Sequence, residues 1–130
     1  MTATERHSIR AAIAQAEAGT TGRIAVRVIP DVAVDAFERA KREFERARLH
    51  RHRHANAALI LVAPKAQRFA IIGDRALHEE VGDAFWSDVV ARSQPYFERG
   101  AIADGVLYAI GRIGEALRAN FVMAPTESAT

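Results

Sequence analysis

The feature that most constrains this chain is the run Ala57–Ala63, which is apolar at every position. A strand with one solvated face alternates apolar and polar residues, whereas a strand covered on both faces does not. The run is followed by a short turn at Pro64–Ala66 and by a second strand-like run, Gln67–Ile72. The two runs therefore predict an antiparallel hairpin whose first strand lies in the middle of a sheet.

The remaining apolar residues follow helical spacing in most of the chain and alternate in one segment. The predicted elements are a helix at Thr4–Ala18, a strand at Gly22–Pro30, a helix from Val34 to about Arg48, a short helical segment at Ala76–Glu80, a helix containing Phe85 and Val90, and a helix at Ile102–Leu117 after a break at Pro95 and Gly100. This order predicts an α/β fold, namely a three-layer α/β/α sandwich. Its small mixed sheet contains a right-handed βαβ unit and an antiparallel hairpin, with helices on both faces.

Length and composition indicate one domain. The chain has 130 residues, of which 49% are hydrophobic and 26% charged, and it has no cysteine. These values are typical of one globular domain and exclude disulfides and thiolate metal sites. We expect a single domain over residues 1–120, with its core at 21–118 and a short polar tail at 121–130.

The N-terminal segment lacks the apolar core of a secretion signal, and no run is long enough to span a membrane. A cytoplasmic protein without membrane insertion is the expectation.

The net charge of +2 conceals two segments of opposite sign. Residues 39–53 are mostly basic, and residues 74–88 are mostly acidic. Such segments attract each other, within one molecule or between molecules, so another protein is the expected partner. A nucleic-acid partner is disfavoured because Glu43 and Glu45 interrupt the basic segment and no aromatic residues are interleaved with it.

The predicted topology brings several polar residues to one edge of the sheet. The end of the hairpin, with Asp74, lies beside the loop that ends at Asn56, whereas Asp31 lies at the opposite edge. Asp83 follows Asp74 after one or two helical turns and folds back beside it. Carboxylate and amide oxygens are the ligands that calcium prefers, so Asp83, Asp74 and Asn56 form a candidate site for a divalent cation such as calcium. The alternative is that each carboxylate only caps a helix.

The loop before the central strand carries three histidines, His50, His52 and His54, with Arg51 and Arg53 between them. In an extended loop the histidines face the same way and converge on a metal or an anion. The alternative is a solvated basic loop, because the arginines raise the local positive charge.

The residues predict no catalytic group and no required cofactor. Two functions remain open: a non-catalytic binding or assembly module with a weak cation site, and a weak metal-dependent phosphatase in which Arg51, Arg53, His52 and His54 contact phosphate or a partner.

The layout resembles the TPM domain, an α/β family found in bacterial envelope proteins and in a thylakoid-lumen protein. The resemblance covers residues Thr21–Leu117. The matching features are the strands at Gly22–Pro30, Ala58–Pro64 and Arg68–Gly73, then Asp83, the Pro95–Phe97 element, and Gly100 with Gly105. Their order and spacing carry the resemblance.

The resemblance implies an α/β/α sandwich, divalent-cation binding in some members and acid phosphatase activity in the plant branch. The chain departs from the family pattern at two places. Where the family commonly has Gly-Tyr-Gly-Leu-Glu, this chain has Gly73–His78, which lacks the second glycine and moves the carboxylate. The acidic or glycine-bearing loop before the central strand is replaced by arginines and histidines.

Overall fold

A three-stranded mixed sheet forms the centre of the protein. The structure is a computed structural model that describes residues 1–30 and 35–124. The strands are β1 (Arg23–Val28), β2 (Ala57–Ala63) and β3 (Arg68–Gly73). β2 lies in the middle, parallel to β1 and antiparallel to β3. Every residue of β2 is buried, which confirms the position that its lack of alternation predicts.

Four helices cover the two faces of this sheet. They are α1 (Ala3–Glu17), α2 (Ala36–Arg46), α3 (Arg75–Glu98) and α4 (Ile102–Asn120). On one face, Ile60 of β2 packs in a core with residues of α1, α3 and α4, including Phe97. On the other face, Leu59 packs with Ala40 and Phe44 of α2. The predicted three-layer sandwich with helices on both faces is therefore confirmed. Within the described ranges, no helix is both long and apolar enough to cross a membrane.

A bend at Gly82 divides α3 into two helical parts. Gly82 has φ 76° and ψ 170°, a conformation that residues with a Cβ rarely adopt. The predicted short helix and longer helix therefore meet at this glycine. The predicted break between the last two helices falls at Gly100, which has φ 80°, whereas its placement at Pro95 is wrong, because Pro95 lies inside α3 and the helix ends at Glu98. Proline removes one backbone donor from a helix, and here the helix continues for less than one further turn.

Both ends of the described chain make specific backbone contacts. Thr2 and Glu5 form a reciprocal capping box that starts α1. Beyond α4, the carbonyl of Phe121 accepts a hydrogen bond from Thr21, and Val122 forms an isolated β-bridge with Thr20. The first residues of the predicted tail are thus attached to the segment before β1. Residues 31–34, with Asp31, and residues 125–130 lie outside the described residues.

Asp88 of α3 binds two arginines, Arg92 on the same helix and Arg112 on α4, and the second of these joins α3 to α4. Its carboxylate accepts hydrogen bonds from Arg112 Nη1 at 2.7 Å and from Arg92 Nε at 3.0 Å. The same Arg112 nitrogen lies 2.6 Å from the hydroxyl of Tyr108. The hydrogen bond from Arg112, followed by that from Arg92, lowers the pKa of Asp88 below its ordinary value. Asp88, in the acidic segment, therefore pairs with arginines that lie outside the basic segment 39–53.

We expect the stabilising contribution of Asp88 to disappear in acid. Since the pKa of this carboxyl is lower in the folded state, its contribution is complete above the unfolded pKa of about 3.9 and is lost as the pH falls through the lowered value. Asp88→Asn should therefore be less stable than the parent at neutral pH, and the difference should vanish in strong acid. Urea unfolding of both proteins across the acid range measures this. The control is Glu115→Gln, which removes a carboxylate from an exposed site on α4. A difference independent of pH would contradict the assignment.

Candidate functional site

Asn56 is the most deeply buried polar residue at the edge where β1 and β2 begin and β3 ends. Its side chain is 0% exposed. The amide nitrogen donates to the hydroxyl of Thr21 at 2.8 Å. The amide oxygen, Oδ1, is buried and has no hydrogen-bond partner among the described residues. Leaving a buried acceptor unpaired costs about 1–3 kcal/mol, so this oxygen is suited to a ligand that needs an oxygen donor.

Asp74 lies at the same edge, directly after β3. Its backbone nitrogen donates to the carbonyl of Ala57, the residue that follows Asn56, at 2.8 Å. One carboxylate oxygen accepts from the backbone nitrogen of Arg75 at 2.8 Å and caps α3. The other, Oδ2, is buried and accepts no hydrogen bond within residues 1–30 and 35–124. The capping role is therefore present, and it uses only half of the carboxylate.

The predicted contact between the end of β3 and the loop before β2 is confirmed. The carbonyl of Ala55 accepts a hydrogen bond from the backbone nitrogen of Ala76 at 2.8 Å. Ala55 adopts a positive φ of 52°, which turns its carbonyl away from the ordinary extended direction. Loop and helix start are thus joined by backbone hydrogen bonds, so the first turn of α3 is held against the entrance to β2.

Asp83 lies in a different polar cluster, although the bend at Gly82 does turn the chain. Its Oδ1 is 3.5 Å from Nε2 of His78, and its side chain is 96% exposed. The other ring nitrogen of His78, Nδ1, accepts a hydrogen bond from the indole of Trp86 at 3.1 Å. The structure therefore brings Asn56 and Asp74 to one edge through backbone pairing and places Asp83 beside His78.

Two histidines of the basic loop, His52 and His54, lie side by side, with their ring centroids 5.6 Å apart. His52 places Nε2 2.7 Å from the carbonyl oxygen of Thr21, which ties the loop to the start of β1. Nε2 of His54 accepts from Nε of Arg53 at 3.1 Å. Arg51 and Arg53 are exposed. Among the residues that the structure describes, no group of three or more histidine or acidic side chains is arranged to hold a metal.

Thr21 is the site residue that the sequence reasoning missed. Its hydroxyl accepts from Asn56 and its carbonyl lies against His52, so it orients both side chains. The sequence could have predicted this contact. In a parallel pair whose strands start together, the residues just before the two strands lie side by side. Arg23 pairs with Ala57 in the observed register.

A sequence profile of the TPM domain matches residues 1–116. The chain belongs to the TPM domain family. The resemblance seen from Thr21 to Leu117 is thereby confirmed, and the match extends through α1. The family assignment gives the fold and leaves the function of the edge residues open.

Solved structures of similar proteins agree with this TPM fold. The BA42 protein of the psychrophilic bacterium Bizionia argentinensis is 30% identical, with a TM-score of 0.88 over 98% of this chain and 88% of that chain. The N-terminal domain of the cg2496 protein of Corynebacterium glutamicum is 14% identical, with a TM-score of 0.71 over 100% of this chain and 78% of that chain. An N-terminal domain from P. gingivalis is 12% identical, with a TM-score of 0.79 over 93% and 78% of the two chains. A comparison with curated proteins found no match.

Proposed function

We propose that this TPM domain is a non-catalytic binding module that holds a divalent cation such as calcium at the edge formed by Asn56 and Asp74. One observation carries the proposal. Two buried oxygens at the ends of neighbouring strands, Asn56 Oδ1 just before β2 and Asp74 Oδ2 just after β3, have no hydrogen-bond partner among the described residues. Native proteins rarely leave such groups unpaired, and one cation bound between the two oxygens would satisfy both.

The donor chemistry fits a hard cation. Calcium takes six to eight oxygen ligands, including carboxylates, amide oxygens, backbone carbonyls and water. Asp74 supplies one negative charge and Asn56 a neutral oxygen, so the remaining ligands would come from backbone carbonyls and water. A site with one carboxylate binds weakly, because calcium affinity rises with the charge of the ligands. In this proposal His52 and Thr21 hold the Asn56 side of the edge in position.

The basic loop extends the binding surface beside this cation site. Arg51 and Arg53 are exposed on the loop whose last residues contact the start of α3. Exposed guanidinium groups recognise carboxylates and phosphates through paired N–H donors. We assign to them, with His52 and His54, contact with an anionic group of a partner protein.

Calcium should raise the melting temperature of the parent protein and leave that of Asp74→Asn unchanged. Asparagine caps a helix about as well as aspartate, so this substitution removes the charge and keeps the cap. At a calcium concentration about 100 times the dissociation constant, the parent should gain about 2.7 kcal/mol of stability. Melting curves with calcium, magnesium, zinc and no metal measure the effect.

Asp83→Asn is the matched control for this titration, because it removes an exposed carboxylate nine residues further along the chain. It should keep the calcium response. A response lost in Asp83→Asn and kept in Asp74→Asn would place the cation at the other carboxylate. The absence of any metal response in the parent would refute the site itself.

The phosphatase alternative is tested on the same variants. A metal-dependent phosphatase would hydrolyse p-nitrophenyl phosphate, and its turnover would fall in Asp74→Asn and in Arg53→Ala, since one removes the metal ligand and the other the phosphate contact. We expect no turnover that depends on these residues. Turnover with that dependence would overturn the non-catalytic assignment.

A further inference from the structure

The outer edge of β3 presents backbone groups that nothing in the described chain bonds. The backbone nitrogen of Asp74 donates to the carbonyl of Ala57, the first residue of β2. With the observed register, this bond determines which residues of β3 bond to β2 and which point away from it. In an antiparallel pair, residues bonded to the neighbour alternate with residues whose N–H and C=O point away. The inward set is Arg68, Ala70 and Ile72, and the outward set is Phe69, Ile71 and Gly73. The structure gives the outward set no hydrogen bond within residues 1–30 and 35–124.

The other edge strand, β1, is protected in a way that β3 is not. The outward amide of Ile24 donates to the carboxylate of Glu17 at 2.7 Å. The carbonyl of Val26 accepts from the guanidinium of Arg27 at 3.3 Å. Side chains that bond the free backbone groups of an edge strand, or that place a charge beside them, prevent another strand from pairing with it. In β3 the single charge is at Arg68, the first residue, and the rest of the strand is apolar or glycine.

A groove of about 740 Å³ follows this open edge. Phe37, at the start of α2, lies on one side and is 49% exposed. Trp86, Ser87 and Val90 of α3 lie on the other side. The volume is within the range of about 300–1,000 Å³ that is typical of ligand clefts. The helices therefore flank the edge of β3 and leave a slot along the strand.

We propose that this groove binds an extended segment of another protein, which adds to the sheet as a fourth strand beside β3. Backbone pairing with the outward groups of β3 supplies affinity, and alternate side chains supply specificity. On the α3 side the segment presents apolar β-branched residues to Trp86 and Val90. Two carboxylates, Asp35 and Glu98, also line the groove against one guanidinium, Arg68, so the segment is net positive, with lysine or arginine at its ends.

A single segment suits this slot better than a second copy of the chain. Paired strands lie about 4.8 Å apart. Packed helices need about 8–10 Å between their axes. Phe37 of α2 and Trp86 of α3 flank the edge, so pairing of two copies through β3 would also bring these helices of one copy against those of the other. An isolated extended segment has no helices to collide. The proposal is independent of the cation site at Asn56 and Asp74.

The test is hydrogen exchange of individual β3 amides, followed by NMR, with a synthetic peptide as the probe. The probe is the capped heptapeptide Lys-Val-Thr-Val-Thr-Val-Lys. In the free protein, the amides of Phe69 and Ile71 should exchange fast and those of Ala70 and Ile72 slowly. Saturating peptide should slow Phe69 and Ile71 at least about tenfold, because their N–H groups gain partners. A peptide N-methylated at alternate residues should not do so.

Two arginine substitutions form a matched pair for the same measurement. Ser87→Arg places a long cation in the groove and should weaken binding of the lysine-bearing peptide about tenfold or more. Ser8→Arg makes the same change at an exposed position of α1, away from the groove, and should bind as the parent does. Asp74→Asn should also bind as the parent, so failure of the cation site does not affect this test.

Three results would overturn the proposal. The first is peptide binding that leaves the exchange of Phe69 and Ile71 unchanged. The second is a free protein that sediments as a dimer with both amides already protected, because the edge would then belong to a second copy. The third is the absence of any slowing of exchange at about 1 mM peptide.

Discussion

Replacing Phe97 with alanine is expected to lower the free energy of unfolding by about 3–5 kcal/mol. Phe97 is 1% exposed in the core between the sheet and α3 and α4, and its ring centroid lies 4.3 Å from that of Phe69. The substitution removes a large apolar side chain and also an aromatic pair worth about 0.5–1.5 kcal/mol. A domain of this size has a total stability of about 5–15 kcal/mol, so little margin would remain. Urea unfolding monitored by circular dichroism measures the change.

Phe37→Ala is the matched control for this prediction. It deletes the same side chain from a position that is 49% exposed and contacts the ammonium of Lys41 over its ring at 5.2 Å. The loss should be within about 1 kcal/mol, the value of an exposed cation–π contact. Equal losses in the two alanine variants would show that the core does not depend on Phe97.

Gly73→Ala is expected to cost about 1–3 kcal/mol, even though it adds only a methyl group. A Cβ at this position would lie 2.3 Å from Cζ2 of Trp86, well inside van der Waals contact. The indole cannot move away freely, because its nitrogen donates to His78 and its ring packs edge-on against Phe85 at 5.0 Å. Thermal and urea unfolding of the variant measure the cost.

Two further variants isolate this steric cause. Gly111→Ala is the control, because in the described part of the chain no atom beyond the local helix backbone and the adjacent residues lies within 4 Å of the added Cβ, and the site is an exposed helix position. It should gain up to about 1 kcal/mol from the better helix propensity of alanine. In a Trp86→Phe background the outer atoms of the indole are absent, so Gly73→Ala should cost less there. The two substitutions would contradict a steric contact if their effects were simply additive.

The fold could be predicted from the spacing of apolar residues, because the faces of a strand or helix that become buried set that spacing locally along the chain. The unbroken apolar run of β2 required cover on both faces, and the turn at Pro64–Ala66 required the next strand to run back. Helix boundaries were less well determined. Pro95 indicated a break, yet the packing of α3 against α4 continues the helix to Glu98. Tertiary contacts outweigh the loss of one backbone hydrogen bond near a helix end.

Only part of the candidate site could be derived from the sequence. Asp74 and Asn56 were placed together because an antiparallel hairpin brings the end of β3 beside the start of β2. The position of Asp83 depends on the φ and ψ of Gly82, which the sequence leaves open because glycine adopts both signs of φ. The contact of Asp83 with His78 therefore appears only in the folded chain.

The sequence by itself determined the order of the elements, the central strand and the two layers of helices, since each of these depends on the spacing of apolar residues along the chain. The tertiary structure decided which polar groups stay unpaired. The free oxygens of Asn56 and Asp74 and the open edge at Phe69 and Ile71 are defined by which neighbours do not reach them. That property depends on the arrangement of elements far apart in the chain, and no local pattern encodes it.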